Sequence, residues 1–214
     1  MLGYSGDRTQ KYRIMRVIAG KYRSRQLRSL RGMDIRPTSD RLRETLFNVL
    51  TAGSPDALAG TVWMDLYAGT GAVGIEALSR GAKEVHFVES FASAADAIQK
   101  NLQSLGIADG FTIVRESLPK AFWHMERQRV TADVVFLDPP YRLSDAYANC
   151  LQALAESSLI WAMSLVIAEH DRKFDPAEEF GPLRRFRRLE QGDAALSFYR
   201  LAAASDVRVS PAAT

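Results

Sequence analysis

Apolar and polar positions change period repeatedly along this chain. Beyond residue 60, short apolar runs at Val62–Leu66, Glu84–Glu89, Phe111–Arg115, Ala132–Leu137 and Leu165–Glu169 predict strands. Amphipathic runs between them predict helices over Ala72–Arg80, Ala92–Leu105, Leu118–Arg127 and Asp145–Glu156. Strand and helix in alternation make an α/β fold, a mostly parallel sheet covered on both faces. The end of the chain departs from this. Leu183–Glu190 and Ala195–Leu201 flank Gln191-Gly192-Asp193, a turn signal, so these two strands are expected to close the seven-stranded sheet as an antiparallel hairpin.

The first part of the chain patterns differently. Arg16-Val17-Ile18-Ala19-Gly20 reads as a strand, Gly20–Ser24 as a turn and Arg25–Leu30 as a return strand, together a small basic hairpin. Pro37 ends an extended segment, and Thr38 or Ser39 can cap the helix that follows. Leu42, Leu46, Val49 and Leu50 give that helix one apolar face, and Gly53-Ser54-Pro55 breaks it. The expected division is a leader over 1–14, a hairpin and helix over 15–53, the main domain over 54–201 and a frayed tail over 202–214.

Composition adds bounds. At 214 residues, 47% hydrophobic and 25% charged, the chain is sized for one globular domain. No run reaches the ~20 apolar residues of a membrane span. Met1 to Arg13 lacks a signal-peptide core. Cys150 is the single cysteine, and His86, His124 and His170 are widely spaced, so neither a disulfide nor a metal site is expected. Cys150, Trp63, Trp123 and Trp161 read as core, and His86 as a packed strand residue. A cytoplasmic monomer away from membranes is the expectation.

Charge changes the picture more. Residues 1–43 hold twelve Lys/Arg against three Asp/Glu, or +9, while the rest carries −6 within a net +3. Such an arm suits a polyanion, although a solvated basic surface would read the same way. Interleaving with Tyr12 and Tyr22 favours nucleic acid. Arg16, Lys21, Arg23 and Arg25 of the hairpin are the candidate contacts, joined by Arg36, Arg41 and Arg43 at the helix start.

The candidate chemistry starts at Asp65-Leu66-Tyr67-Ala68-Gly69-Thr70-Gly71-Ala72-Val73-Gly74. A strand enters a glycine turn and a helix leaves it, presenting free N–H groups to a ligand. Glu89, twenty residues beyond Gly69, fits the acid of a dinucleotide fingerprint. Asp65 speaks against a pyrophosphate, because a carboxylate at the strand end would repel it; a helix cap or turn residue would read the same way, and the pairing with Glu89 favours a ligand contact. S-adenosylmethionine, with a sulfonium and an ammonium and no phosphate, would be welcomed there. Glu89, with Ser90 beside it, would take the ribose hydroxyls, and Glu116 or Ser117 the adenine amine.

The second stretch is Asp138-Pro139-Pro140-Tyr141. A buried strand runs into two prolines that hold a stiff, extended loop at the carboxyl edge of the sheet. The Asp138 carboxylate and the Pro139 carbonyl can accept both N–H bonds of an exocyclic amine, favouring a pyramidal nitrogen able to attack. Tyr141 can stack on the base.

With these residues in view the chain resembles the RsmD family of bacterial methyltransferases, over about Arg16 to Leu201. The resemblance lies in Arg16–Gly20, Arg36-Pro37-Thr38-Ser39-Asp40-Arg41-Leu42-Arg43-Glu44, Asp65–Gly81 and the Asp-Pro-Pro-Tyr tetrad. Ala19 and Ser24 stand where glycines are usual. The resemblance implies a Rossmann-like class I methyltransferase fold and transfer from S-adenosylmethionine to N2 of one guanine (guanine 966) in 16S ribosomal RNA, free or in a small-subunit particle. It also implies that Thr38 closes over the methionine end of the cofactor. An adenine-N6 or cytosine-N4 methyltransferase, which uses the same tetrad, a nicotinamide-dependent oxidoreductase and an inactive RNA-binding protein remain as alternatives.

Overall fold

A computed structural model describes residues 15–29, 40–140 and 144–202. In chain order the elements are β1 (Met15–Arg16), β2 (Gln26–Leu27), α1 (Asp40–Leu50), β3 (Val62–Leu66), α2 (Ala72–Ser79), β4 (Glu84–Val88), α3 (Ala92–Leu105), β5 (Phe111–Val114), α4 (Lys120–Arg127), β6 (Ala132–Leu137), α5 (Ser144–Glu156), β7 (Ile160–Asp171), β8 (Glu179–Phe180), β9 (Leu183–Gln191) and β10 (Ala194–Leu201).

One eight-stranded sheet runs in the order β5-β4-β3-β6-β7-β10-β9-β8. The strands from β5 to β7 are parallel, and β10, β9 and β8 continue antiparallel. The two-residue β8 is an eighth strand beside the seven expected. β7 is also longer than the Leu165–Glu169 read from its apolar run. Its first residues step around an irregularity between Ala132 and Val134 of β6, leaving Trp161, Ala162 and Met163 exposed. Trp161 and Trp123 are therefore surface residues, at 46% and 57% exposure, while Trp63 is fully buried. The tryptophan of α4 stacks on Arg127 at the surface instead of entering the core.

Successive side chains of the central strands enter different cores, as the pleat demands. Trp63, Val85, Phe87, Phe136, Ile167 and Phe198 pack on one face with α1, α2, α3 and the hairpin. Met64, Leu66, Val135, Leu137, Val166 and Tyr199 pack on the other with α4 and α5. Cys150 is buried in this second core.

The N-terminal hairpin is shorter in pairing than its sequence pattern suggests, with only β1 and β2 bridged. Val17 N–H still donates to the Arg25 carbonyl at 3.0 Å and its carbonyl accepts Ser24 N–H at 2.9 Å, but beyond Val17 the backbone finds other partners. The Ile18 and Ala19 N–H groups donate to the Glu76 carboxylate at 2.7 and 2.9 Å, and Tyr22 N–H donates to Ser79 Oγ at 3.0 Å. Gly20 lies so close to α2 that an added Cβ would sit 1.9 Å from the Ser79 carbonyl oxygen. Ser24 adopts a φ of 66°, which explains why glycine would be the ordinary choice there. The hairpin is thus a graft on α2, not a free ribbon.

Candidate active site

The sheet order reverses at β3, with β4 on one side and β6 on the other. In an open parallel sheet, the crevice beyond the strand ends at such a point is where ligands sit. Both stretches singled out in the sequence end there. Leu66 and Leu137 are register partners, and Asp138 N–H donates to the Leu66 carbonyl at 3.4 Å. The glycine turn and the Asp-Pro-Pro loop therefore leave adjacent strands side by side.

The turn is built by backbone geometry. Tyr67, Gly69 and Gly71 have φ of 60°, 55° and 78°, and Gly71 N–H closes the turn on the Ala68 carbonyl at 2.7 Å. Gly74 serves packing: a Cβ there would lie 2.3 Å from the Phe87 ring and 2.7 Å from Val85. Its absence lets α2 lie tightly on β4 and aims the helix start at the crevice.

Two acids hold the turn from beneath. Asp65 is 2% exposed, and its Oδ2 accepts Gly74 N–H at 2.9 Å, a bond to the first turn of α2. Burial pushes its pKa up to about 7; the Gly74 bond works against that rise and the neighbouring Glu89 charge adds to it. Of the readings open for Asp65, the helix cap is the one its carboxyl serves here, enclosed and bonded to the first turn of α2, and it does not line the site as an open carboxylate. Glu89 is also buried. It accepts Gly69 N–H on Oε2 at 2.9 Å and Phe91 N–H on Oε1 at 2.8 Å, tying the turn to the β4–α3 loop. Neither acid has an ion-pair partner among the described residues. The Glu89 charge, without countercharge among the described residues, suits a cationic ligand better than a phosphate.

The remaining candidates lie around this centre. Ala68 is buried under the turn, while Tyr67 and Thr70 are half-buried on it. Ser90 and Ser117 are exposed on the loops after β4 and β5. Half-buried Glu116 pairs with Lys120 at 3.3 Å, and its Oε2 has no hydrogen-bond donor among the described residues. Asp138 is half-buried, Pro139 buried and Pro140 exposed. Tyr141 and Thr38, like Arg36, lie outside the described residues.

Tyr147, which the sequence reading left without a role, touches the loop directly. Its hydroxyl lies 3.3 Å from the Pro139 carbonyl and 2.9 Å from the Glu169 carbonyl, anchoring the loop to α5 and β7. Nothing but its place on an apolar helix face marked it. Among the described residues no cluster of His, Cys, Asp and Glu suits a metal ion. No described helix is long and apolar enough to cross a membrane.

Of the basic candidates, Arg16, Lys21, Arg23, Arg25 and Arg41 are exposed, with Arg25 also donating to the Ser104 carbonyl at 2.9 Å. Arg43 is not available to a partner. It is fully buried, donates to the Arg16 carbonyl and pairs with Asp40 at 3.0 Å. Burial lowers its pKa, and the nearby Glu76, Asp40 and Glu169 charges oppose that fall. Asn101, also missed, bridges the arm to the turn. Its Oδ1 accepts Arg28 N–H at 2.7 Å and its Nδ2 donates to the Thr70 carbonyl at 2.9 Å.

Comparison with known proteins agrees in sequence and in fold. The family described as "Conserved hypothetical protein 95" matches residues 15–200. The Ribosomal RNA small subunit methyltransferase D of Haemophilus influenzae is 35% identical over 158 residues, 74% of this chain and 79% of that one. The protein of the same name from Escherichia coli K12 is 33% identical over 157 residues, 71% of this chain and 75% of that one. Among solved structures, a hypothetical protein of Thermus thermophilus superposes with a TM-score of 0.73 at 25% identity, covering 89% of this chain and 100% of that one. SMU.776, solved as a complex with SAH, shares the fold alone, with a TM-score of 0.61 at 12% identity over 74% of this chain and 48% of that one.

Proposed function

The chain belongs to the RsmD family, and from that premise we propose that it transfers a methyl group from S-adenosylmethionine to the exocyclic N2 of a guanine in 16S ribosomal RNA. The observation that carries this reading is the meeting of the glycine turn and Asp138 in one crevice, where Asp138 N–H reaches the Leu66 carbonyl. The Rossmann-like class I fold supports the same conclusion.

The residues present fit the cofactor. The turn over Tyr67–Gly71 offers close backbone approach, Asp65 holds the start of α2 in place behind it, and Glu89 supplies negative charge with no cation paired to it among the described residues. Glu89 keeps lone pairs for ribose hydroxyls beyond its two backbone bonds. Ser90, Glu116 and Ser117 border the adenine end, and Glu116 Oε2, which accepts no hydrogen bond among the described residues and has His124 Nδ1 4.0 Å away, suits an amine donor there. Thr38 is assigned to the methionine end. When bound, the cofactor supplies a sulfonium methyl group whose departure leaves a neutral thioether.

What the chain does is position the nitrogen. The Asp138 carboxylate and the Pro139 carbonyl accept the two N–H bonds, directing the nitrogen lone pair at the methyl carbon. Tyr147 takes one side of the Pro139 carbonyl, which has a second lone pair for the amine and is held against rotation. As the N–C bond forms, the nitrogen sheds a proton to the Asp138 carboxylate or to water. Tyr141 is assigned to base stacking, and Arg16, Lys21, Arg23, Arg25 and Arg41 to phosphates of the RNA.

Labelled-methyl transfer to 16S ribosomal RNA from an unmethylated strain, followed by nucleoside analysis, tests the reading. Label in N2-methylguanosine is expected. Label in N6-methyladenosine or N4-methylcytidine would move the assignment to another amine, and no label in any nucleoside would refute it. Free RNA and small-subunit particles, assayed side by side, identify the substrate form.

A further inference from the structure

The antiparallel end of the sheet carries a surface that the catalytic reading does not use. Along β9 and β10 the register slips between Phe198 and Tyr199. Phe198 faces Arg187 and Tyr199 faces Arg185, which makes Phe186 the extra residue of a bulge. A bulge can turn two successive side chains to the same side. Phe186 and Arg187 behave so. The Phe186 ring lies 6.4 Å from that of Phe198, and the Arg187 guanidinium lies 5.7 Å from the centre of the same Phe198 ring. Arg200, two residues beyond Phe198, stacks over Phe186 at 4.8 Å. Phe186 nonetheless remains 53% exposed.

Charge singles out the same residues. Arg185 pairs with Asp175 and Glu178, Arg188 with Glu190, and Arg184 with Glu179. Arg187 and Arg200 meet no carboxylate among the described residues, and each guanidinium lies over a ring. Phe198 packs in one core with Met15, Val17, Leu42 and Phe47, which puts this cluster on the sheet face that carries the hairpin and α1.

We propose that Phe186, Arg187 and Arg200 form a docking platform for single-stranded RNA, Phe186 stacking an unpaired base while the two guanidinium groups hold flanking phosphates. The proposal rests on the reading of the protein as an RNA methyltransferase. An exposed ring beside uncompensated guanidinium groups matches the two faces of a single strand, a π-surface and a chain of phosphates. A second copy of this chain would instead bring like charge against like charge.

Fluorescence anisotropy of the full chain with a labelled single-stranded RNA, and with the same strand in a duplex, tests the platform. Phe186→Ala weakens single-strand binding about 5- to 150-fold, the scale of one lost stack, and leaves duplex binding and the salt slope near the parent values. Phe186→Tyr keeps the affinity. Arg187→Ala with Arg200→Ala lowers the salt slope by about 1.4, two contacts on a single strand. Thermal stabilisation by S-adenosylhomocysteine stays unchanged in every variant and certifies the fold. Unchanged single-strand affinity in Phe186→Ala, an equal loss on duplex, or wild-type self-association that Phe186→Ala abolishes overturns the platform. If wild-type transfer to ribosomal RNA is intact when that happens, only the platform falls. If transfer is absent while Phe186→Ala still loses single-strand affinity, only the catalytic reading falls.

Discussion

Asp65 turns its burial into a pH dependence. Its carboxyl has a pKa of about 7 in the folded chain against an ordinary value of 3.8, so the folded state holds a proton that the unfolded state has released. Between about pH 4 and pH 7 stability therefore falls as pH rises, because the native state binds more protons across that window. Asp65→Asn keeps an acceptor for Gly74 N–H and removes the ionisation. The difference in melting temperature between Asp65→Asn and the parent should grow in the variant's favour from about pH 5 to about pH 8. A constant difference across that range would contradict the buried, proton-binding carboxyl. Asp65 also shows how far single residues were legible. Its place beside the glycine turn followed from spacing, but which way the carboxyl faced did not, since helix cap and ligand contact call for the same residue at the same position. Arg43 shows the opposite failure. Grouped by proximity with Arg36 and Arg41, it looked like a phosphate contact. Phe47, four residues on and buried, marks the inward stripe of α1 that Arg43 shares.

At the level of elements, the hairpin, α2 and the glycine turn form one unit. Glu76, fully buried on α2, accepts the Ile18 and Ala19 N–H groups and Arg80 Nε, and Asn101 on α3 joins Arg28 to Thr70. Gly74→Ala forces a methyl group into the Phe87 ring and should cost about 1–3 kcal/mol of stability, the usual range for overpacking. Denaturant titration checks it, and a loss below a few tenths would mean that α2 can withdraw from β4 freely. Glu76→Gln takes the charged acceptor from both hairpin N–H groups and leaves one of them facing an amide nitrogen that cannot accept. Amide exchange at Ile18 and Ala19 should then quicken more than exchange in the central strands; equal protection would show that the hairpin is held elsewhere. The elements themselves were largely readable, because strands buried on both faces leave apolar runs and helices leave a longer period. The short hairpin pairing, β8 and the extended β7 were not. Glu76, which takes the Ile18 N–H, is distant in sequence; β8 is two residues long, too short to show a period; and the first part of β7 is exposed beside an irregularity of β6, so no apolar run marks it.

Across the whole molecule, charge and chemistry are divided between a basic arm, +9 over residues 1–43, and an acidic body holding the crevice. Replacing Arg16, Arg23 and Arg25 with alanine should weaken RNA binding and reduce the slope of log affinity against log salt by about 2–3, while leaving S-adenosylhomocysteine binding intact. An unchanged slope would remove the arm from the docking surface. The crevice makes a separate claim, that one side of it holds the cofactor and the other the amine. Asp138→Ala measures this most directly, with S-adenosylhomocysteine affinity by calorimetry and methyl transfer to ribosomal RNA determined on the same preparation. Affinity is expected within about threefold of the parent and transfer reduced by at least about 100-fold, the scale for loss of one preorganised polar contact to the reacting group. Undiminished transfer, or an affinity that falls as far as the rate, would contradict that claim.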